Sequence, residues 1–129
     1  MINIIVIGHG GYAEGIRKNL NMLSGVPEYM HFLDLDPESD LDTLETNLDA
    51  LLEKIGDEDI LFSCDLFGAS PFRVAAMKCM ANPGRYMLVT GINTMAYVEL
   101  AMPSELSLEE LAKRSVETTK DSVKMFPEE

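Results

Sequence analysis

Basic residues are scarce in this chain: ten Lys and Arg stand against 22 Asp and Glu, giving a formal net charge of −12. No cluster of Lys or Arg is dense enough to neutralise a run of phosphates, which argues against nucleic acid and against an anionic membrane surface as partners. The ordinary role of such acidity is a solvated surface; the other is electrostatic matching with a basic protein partner. Cysteine and histidine are sparse as well. Cys64 and Cys79 lack a Cys-x-x-Cys spacing and have only His9 and His31 for company. Neither a zinc site nor a disulfide framework is expected, and two reduced thiols in the core are. No metal and no cofactor is expected. Long apolar runs are also missing: Ile4 to Ile7 is the length of a strand, far below the ~18 residues of a membrane span. Met1-Ile2-Asn3 offers no basic start for a secretory signal, so the expected location is the cytoplasm.

What is present is an alternation of short apolar runs with amphipathic stretches. That pattern predicts an α/β domain, doubly wound on a mainly parallel four-stranded sheet with helices on both faces. The 129 residues, 47% of them hydrophobic, suit one domain over 1–129 with a single core. Ile2 to Ile7 is expected as a buried first strand, broken by Gly8-His9-Gly10-Gly11. Ala13, Ile16, Leu20 and Leu23 then recur at helical spacing, and Tyr29 to Leu35 follows as a second strand. The next helix is expected to start at Pro37-Glu38-Ser39, with Ser39 and Asp42 at capping-box spacing. Its stripe of Leu41, Leu44, Leu48, Leu51, Leu52 and Ile55 stops at Gly56. Ile60 to Cys64 is the third strand, ending at Asp65. Ser70 is expected to cap a helix with Pro71 at its first position. Tyr86 to Thr90 is the fourth strand, Asn93 the cap of a short helix to about Ala101, and Ser107 with Glu110 the capping box of the last helix. Val123 to Phe126 is apolar after a polar helix. It has no evident partner unless it adds to a sheet edge, which predicts a homodimer.

In an open parallel sheet the ligand site lies beyond the carboxyl ends of the strands, where the strand order reverses. With the order 2-1-3-4, His9 after the first strand and Asp65 after the third face each other across that crevice. A histidine that carries phosphate must offer one neutral ring nitrogen to phosphorus. A carboxylate on the other nitrogen fixes that tautomer and stabilises the charge that develops. The amides of Gly10, Gly11 and Tyr12 open a helix whose N-terminus favours negative charge, and the glycines let an anion approach the backbone. Ser70, also at a helix start, is a candidate hydroxyl donor to a phosphoryl oxygen. Each feature has an ordinary alternative: an exposed loop histidine, a turn aspartate, a capping serine, glycines serving only the turn. His31 lies mid-strand and reads as structural, while Asp34 and Asp36 read as surface turn residues.

The segment Ile4-Ile5-Val6-Ile7-Gly8-His9-Gly10-Gly11-Tyr12-Ala13-Glu14-Gly15 resembles the phosphorylation segment of enzyme IIA domains of the bacterial sugar phosphotransferase system, mannose/fructose/sorbose family. Asp65-Leu66-Phe67-Gly68-Ala69-Ser70-Pro71-Phe72 is similar to the family's second motif, and Thr90-Gly91-Ile92-Asn93 to the turn after its fourth strand. The resemblance implies that His9 accepts phosphate from the carrier protein HPr and donates it to an enzyme IIB domain for sugar uptake. It also implies that Asp65 orients the histidine, that Ser70 helps hold the phosphoryl group, and that subunits dimerise by exchanging a C-terminal antiparallel edge strand. Contact with the membrane is then indirect, through the transporter, whose membrane subunits choose the sugar. Ala69 stands where a second glycine is common and Arg73 where Asn is frequent; both bear on rim contacts and partner choice. The chain stops after this domain, so a separate subunit without a fused IIB is expected.

Two rivals are weighed. In a receiver-like domain Asp65 itself would be phosphorylated, but the first strand ends in His9-Gly10 and not in the acidic pair that holds Mg²⁺. A non-catalytic anion-binding regulatory module would use the same crevice without covalent chemistry.

Overall fold

A computed structural model describes residues 1–128. Ile, Val and Leu crowd the strand segments because those strands are covered on both faces, as parallel sheets require. Strands β1 (Ile2–His9), β2 (Met30–Leu35), β3 (Asp59–Cys64) and β4 (Tyr86–Thr90) form one fully parallel sheet in the order β2-β1-β3-β4. The helices are α1 (Tyr12–Leu23), α2 (Leu41–Ile55), α3 (Ser70–Ala81), α4 (Thr94–Leu100) and α5 (Leu108–Ser122). Side chains alternate along the strands and split the core in two. Ile4, Val6 and Leu61 pack under α1, α4 and α5 against Leu20, Tyr97 and Leu111. Ile5, Ile7 and Phe62 pack under α2 and α3 against Leu44, Leu48 and Val74. The expected fold class and strand order are both present.

Two helix starts differ from expectation. Ser39 does not cap α2; the N-cap is Asp40, whose carboxylate accepts from the Thr43 amide at 2.8 Å. Ser39 is occupied in the preceding turn, where its hydroxyl accepts from the Asp36 amide at 3.2 Å. Asp is as good a cap as Ser and stands one residue nearer Leu41, so it takes the role. At α3 the N-cap is Ala69, no side chain caps, and Ser70 is already helical with Pro71 behind it. Proline is tolerated there because first-turn amides lack intrahelical partners anyway. The other caps form as expected: Asn93 accepts from the Ala96 amide at 3.3 Å, and Ser107 and Glu110 make a complete capping box. Beyond α5 the residues Val123, Met125 and Phe126 are exposed and lie in no strand of this chain.

Candidate functional site

The chain leaves β1 into α1 on one face of the sheet and leaves β3 into α3 on the other. The crevice therefore opens between the carboxyl ends of β1 and β3, and His9 and Asp65 stand at its lip. Asp65 Oδ2 accepts twice from the same residue, from His9 Nδ1 at 2.8 Å and from the His9 amide at 2.9 Å. One oxygen thus fixes both the ring and the backbone that carries it. With the carboxylate ionised, Nδ1 holds the proton and Nε2 keeps its lone pair. The His9 side chain is 40% exposed and that of Asp65 16%. The ring is thus partly open to solvent while its orienting group is largely shielded from water. Asp65 Oδ1 is buried with no hydrogen-bond partner among the described residues, so the carboxylate is satisfied at His9 or not at all.

The turn after His9 needs glycine twice, since Gly10 and Gly11 have φ of 51° and 88°. Gly8 needs it for space: a Cβ there would lie 2.6 Å from the Tyr12 ring. The amides around this turn divide sharply. Gly10 donates to Leu35 O at 2.8 Å, so its amide is committed to the β2 side of the turn. Ala13 and Glu14 donate to the two carboxylate oxygens of Asp34 at 2.9 and 3.0 Å. Gly11 and Tyr12 have no amide acceptor among the described residues. Of the three amides expected to meet an anion, two are therefore available and Gly10 shapes the turn. Asp34 is not a surface turn residue; it sits within β2 and caps α1 from another strand. An aspartate inside Phe32-Leu33-Asp34-Leu35 is unusual for a strand, and that was the available signal.

Behind the site runs a chain of hydroxyls that no local pattern announces. Tyr12 and Tyr97 share a hydrogen bond of 2.6 Å, and Tyr97 and Ser63 one of 2.7 Å. Burial pushes both phenols above their ordinary pKa. The network ties the first residue of α1 to the strand that delivers Asp65. Cys64, next to Asp65, is a buried thiol that burial first, and the Asp65 charge second, push up to about 12. Burial raises Cys79 to about 11. Both stay protonated near neutral pH and are poor nucleophiles.

Ser70 lies in the first turn of α3 and takes no part in capping it. At the rim, Leu66 and Phe67 are 60% and 76% exposed, Phe67 leans on Phe72 at 4.7 Å, and Arg73 Nε donates to Gly68 O at 3.1 Å. His31 is elsewhere: its Nε2 meets Asn3 Oδ1 at 3.0 Å near the opposite end of the sheet. Among the described residues no three His, Cys, Asp or Glu side chains are grouped to hold a metal ion.

Comparison with known proteins identifies the family. The family model for the PTS system fructose IIA component, the mannose-type EIIA family, matches residues 3–121. The chain belongs to this enzyme IIA family. It is 35% identical over 124 residues to the PTS system mannose-specific EIIAB component of Escherichia coli, covering 93% of this chain but 38% of that protein. It thus spans about two fifths of the length of those curated relatives. The PTS system fructose-specific EIIA component of Bacillus subtilis is 26% identical over 113 residues, 86% of this chain and 77% of that one. The mannose/sorbose-specific IIA subunit of Enterococcus faecalis superposes with a TM-score of 0.87 at 25% identity, covering 96% of this chain and 93% of that one. A Streptococcus agalactiae EIIA component, at 22% identity and covering 98% of both chains, shares the enzyme IIA fold with the same TM-score.

Proposed function

We propose that this enzyme IIA domain carries a phosphoryl group on His9 Nε2, taking it from HPr and giving it to an enzyme IIB domain in sugar uptake. The observation that carries the proposal is the double acceptance by Asp65 Oδ2. It sets Nδ1–H toward the carboxylate and leaves the Nε2 lone pair for phosphorus. In the step, the N–P bond on the donor histidine breaks as the bond to Nε2 forms. The Nδ1 proton stays between ring and carboxylate, so the positive charge gained by the ring is met by Asp65. Onward transfer breaks the Nε2–P bond and returns a neutral imidazole. The Gly11 and Tyr12 amides and the Ser70 hydroxyl are the donors available to phosphoryl oxygens. No metal or organic cofactor enters this scheme.

The receiver reading is weaker here, because Asp65 Oδ2 is engaged by His9 and Oδ1 is buried, so neither oxygen is open to an incoming phosphoryl group. Among the described residues no helix is long and apolar enough to cross a membrane, and a cytoplasmic carrier acting on the transporter from outside the bilayer suits that. A homodimer completes the proposal. Among the described residues the outer edge of β4 has no strand partner, and the apolar tail Val123 to Phe126 is exposed in the single chain. A second copy's tail paired with that edge would cover both. Truncation before Val123 is expected to give monomers or aggregates in light scattering; an unchanged dimer mass would remove the tail from the interface.

The carrier function is tested by incubating the protein with phosphoenolpyruvate, enzyme I and HPr. A label that is lost in acid and survives base is expected, the signature of a phosphoramidate on imidazole. A base-labile label would move the phosphate to a carboxylate, and no label would leave an anion-binding module.

A further inference from the structure

The arrangement of amides around His9 contains a group the transfer scheme does not require. Asp34 pairs in register with Gly8 of β1, one strand away from the histidine's own. Both of its oxygens are engaged by α1, through the Ala13 and Glu14 amides. The residue at the N-cap itself is Gly11, which has no side chain to offer. The cap is therefore supplied from 20 residues along the chain, by a strand. A neutral Ser, Thr or Asn would satisfy such donors nearly as well. A carboxylate brings a full negative charge to the same helix end that a phosphoryl dianion must approach, where positive potential is the asset. The charge opposes binding of the group that the site is built to hold.

We infer that Asp34 is a positioning residue that keeps the phosphoryl group on His9 transferable. It rests on the phosphocarrier reading above. Its carboxylate withdraws the Ala13 and Glu14 amides from the anion and fixes the first turn of α1 against the end of β2. Gly11 and Tyr12 are then the two amides that remain open beside the histidine. Its charge offsets part of the helix's attraction for the bound phosphoryl group. Asp65 works in the other direction, because it stabilises the positive ring of phosphohistidine. A carrier needs both: too much stabilisation would turn His9 into a trap from which an acceptor could not take the group. The two aspartates stand on either side of β1, Asp34 within β2 and Asp65 just past β3, with opposite effects on how tightly the group is held.

The test is the equilibrium division of label between phosphorylated HPr and this protein, compared for wild type, Asp34→Asn and Asp34→Thr. Asn keeps the shape; Thr suits a strand and still offers a capping oxygen. Removing one charge at screened range is expected to shift the division toward phosphorylated enzyme IIA by roughly 3- to 10-fold. The shift should shrink as salt is raised, and onward transfer to enzyme IIB should slow in proportion. A role limited to capping predicts a lower melting temperature with the division unchanged. That result, a shift toward HPr, or loss of fold in both variants would overturn the inference. Failure of the wild-type protein to take label at all would instead remove the carrier reading on which it rests.

Discussion

The two histidines of this chain stand near opposite ends of one sheet, and each has a hydrogen-bonded ring nitrogen. His9, at the carboxyl end, faces the Asp65 carboxylate; His31, toward the amino end, faces the neutral side-chain oxygen of Asn3. Around His9 the backbone turns through two left-handed glycines and leaves two amides open. Around His31 the strand simply continues. A cavity of about 710 Å³ lies at the amino end too, between Ile4, Tyr29, Leu100, Met102, Leu106 and the acidic segment Asp57 to Asp59. By the usual rule that cavity would be the candidate site. It holds no convergent chemistry, whereas the carboxyl end has chemistry and little enclosure. A group delivered by another protein needs an accessible nucleophile on an open surface, not a chamber. Cavity size would be a poor guide to such a site.

The sharpest way to break this contrast is to exchange the fates of the histidines. His9→Ala is expected to abolish labelling by phosphorylated HPr and His31→Ala to leave it intact, read as acid-labile label on each purified variant. Label persisting in His9→Ala would place the site elsewhere.

Asp65→Asn comes next, because it removes the charge and keeps the shape. If Asp65 were only a turn residue, the cost would be a kcal/mol or two of stability, about that of a lost cap. If it sets the tautomer of His9, rapid-quench transfer from HPr should fall by a factor on the order of 10²–10⁴. A rate within about threefold of wild type, under ~1 kcal/mol of barrier, would make Asp65 structural.

A smaller effect is expected from Tyr97→Phe, which strands the hydroxyl of Ser63 in the core and that of Tyr12 behind the site. Burying an unsatisfied hydroxyl costs about 1–3 kcal/mol, which for a domain of this size is a fall in melting temperature of roughly 3–5 °C per kcal/mol. An unchanged melting curve would show that the hydroxyl chain does not brace the carboxyl end of the sheet.

The smallest effect belongs to the amino end. Burial first, and the charge of Lys54 second, hold His31 below the ordinary histidine value of 6.5. The unfolded chain therefore binds a proton more readily at this site than the folded one. The resulting stability is complete above about pH 6.5 and is lost as pH falls below it. Melting curves between about pH 7 and 5 should be less steeply pH-dependent for His31→Gln than for wild type. Equal slopes would mean that His31 titrates alike in both states.

Local pattern carried much of this protein. The alternation of apolar runs and amphipathic stretches, the extent of β4 over Tyr86–Thr90, and the caps at Asn93 and Ser107 are all legible in the chain. They depend on periodicity and on hydrogen bonds three residues apart. His9 and Asp65 stand out because they follow apolar runs that end in turns. The start of α2 is less legible, because Asp40 beside Ser39 can cap equally well and stands nearer Leu41, and Ser39 is taken up by the turn at Asp36. The His9–Asp65 pairing follows from the expected strand order, and the other long-range acceptors are assigned by tertiary structure alone. Parallel pairing of β1 with β2 and β3 brings His9 to Asp65 across 56 residues and Ala13 to Asp34 across 21. It also sends the Gly10 amide to Leu35, and helix packing joins Tyr12 to Tyr97 across 85 residues. A sequence names the groups able to donate and accept. Which donor meets which acceptor is decided by strand register and helix docking, because a hydrogen bond forms only within about 3 Å.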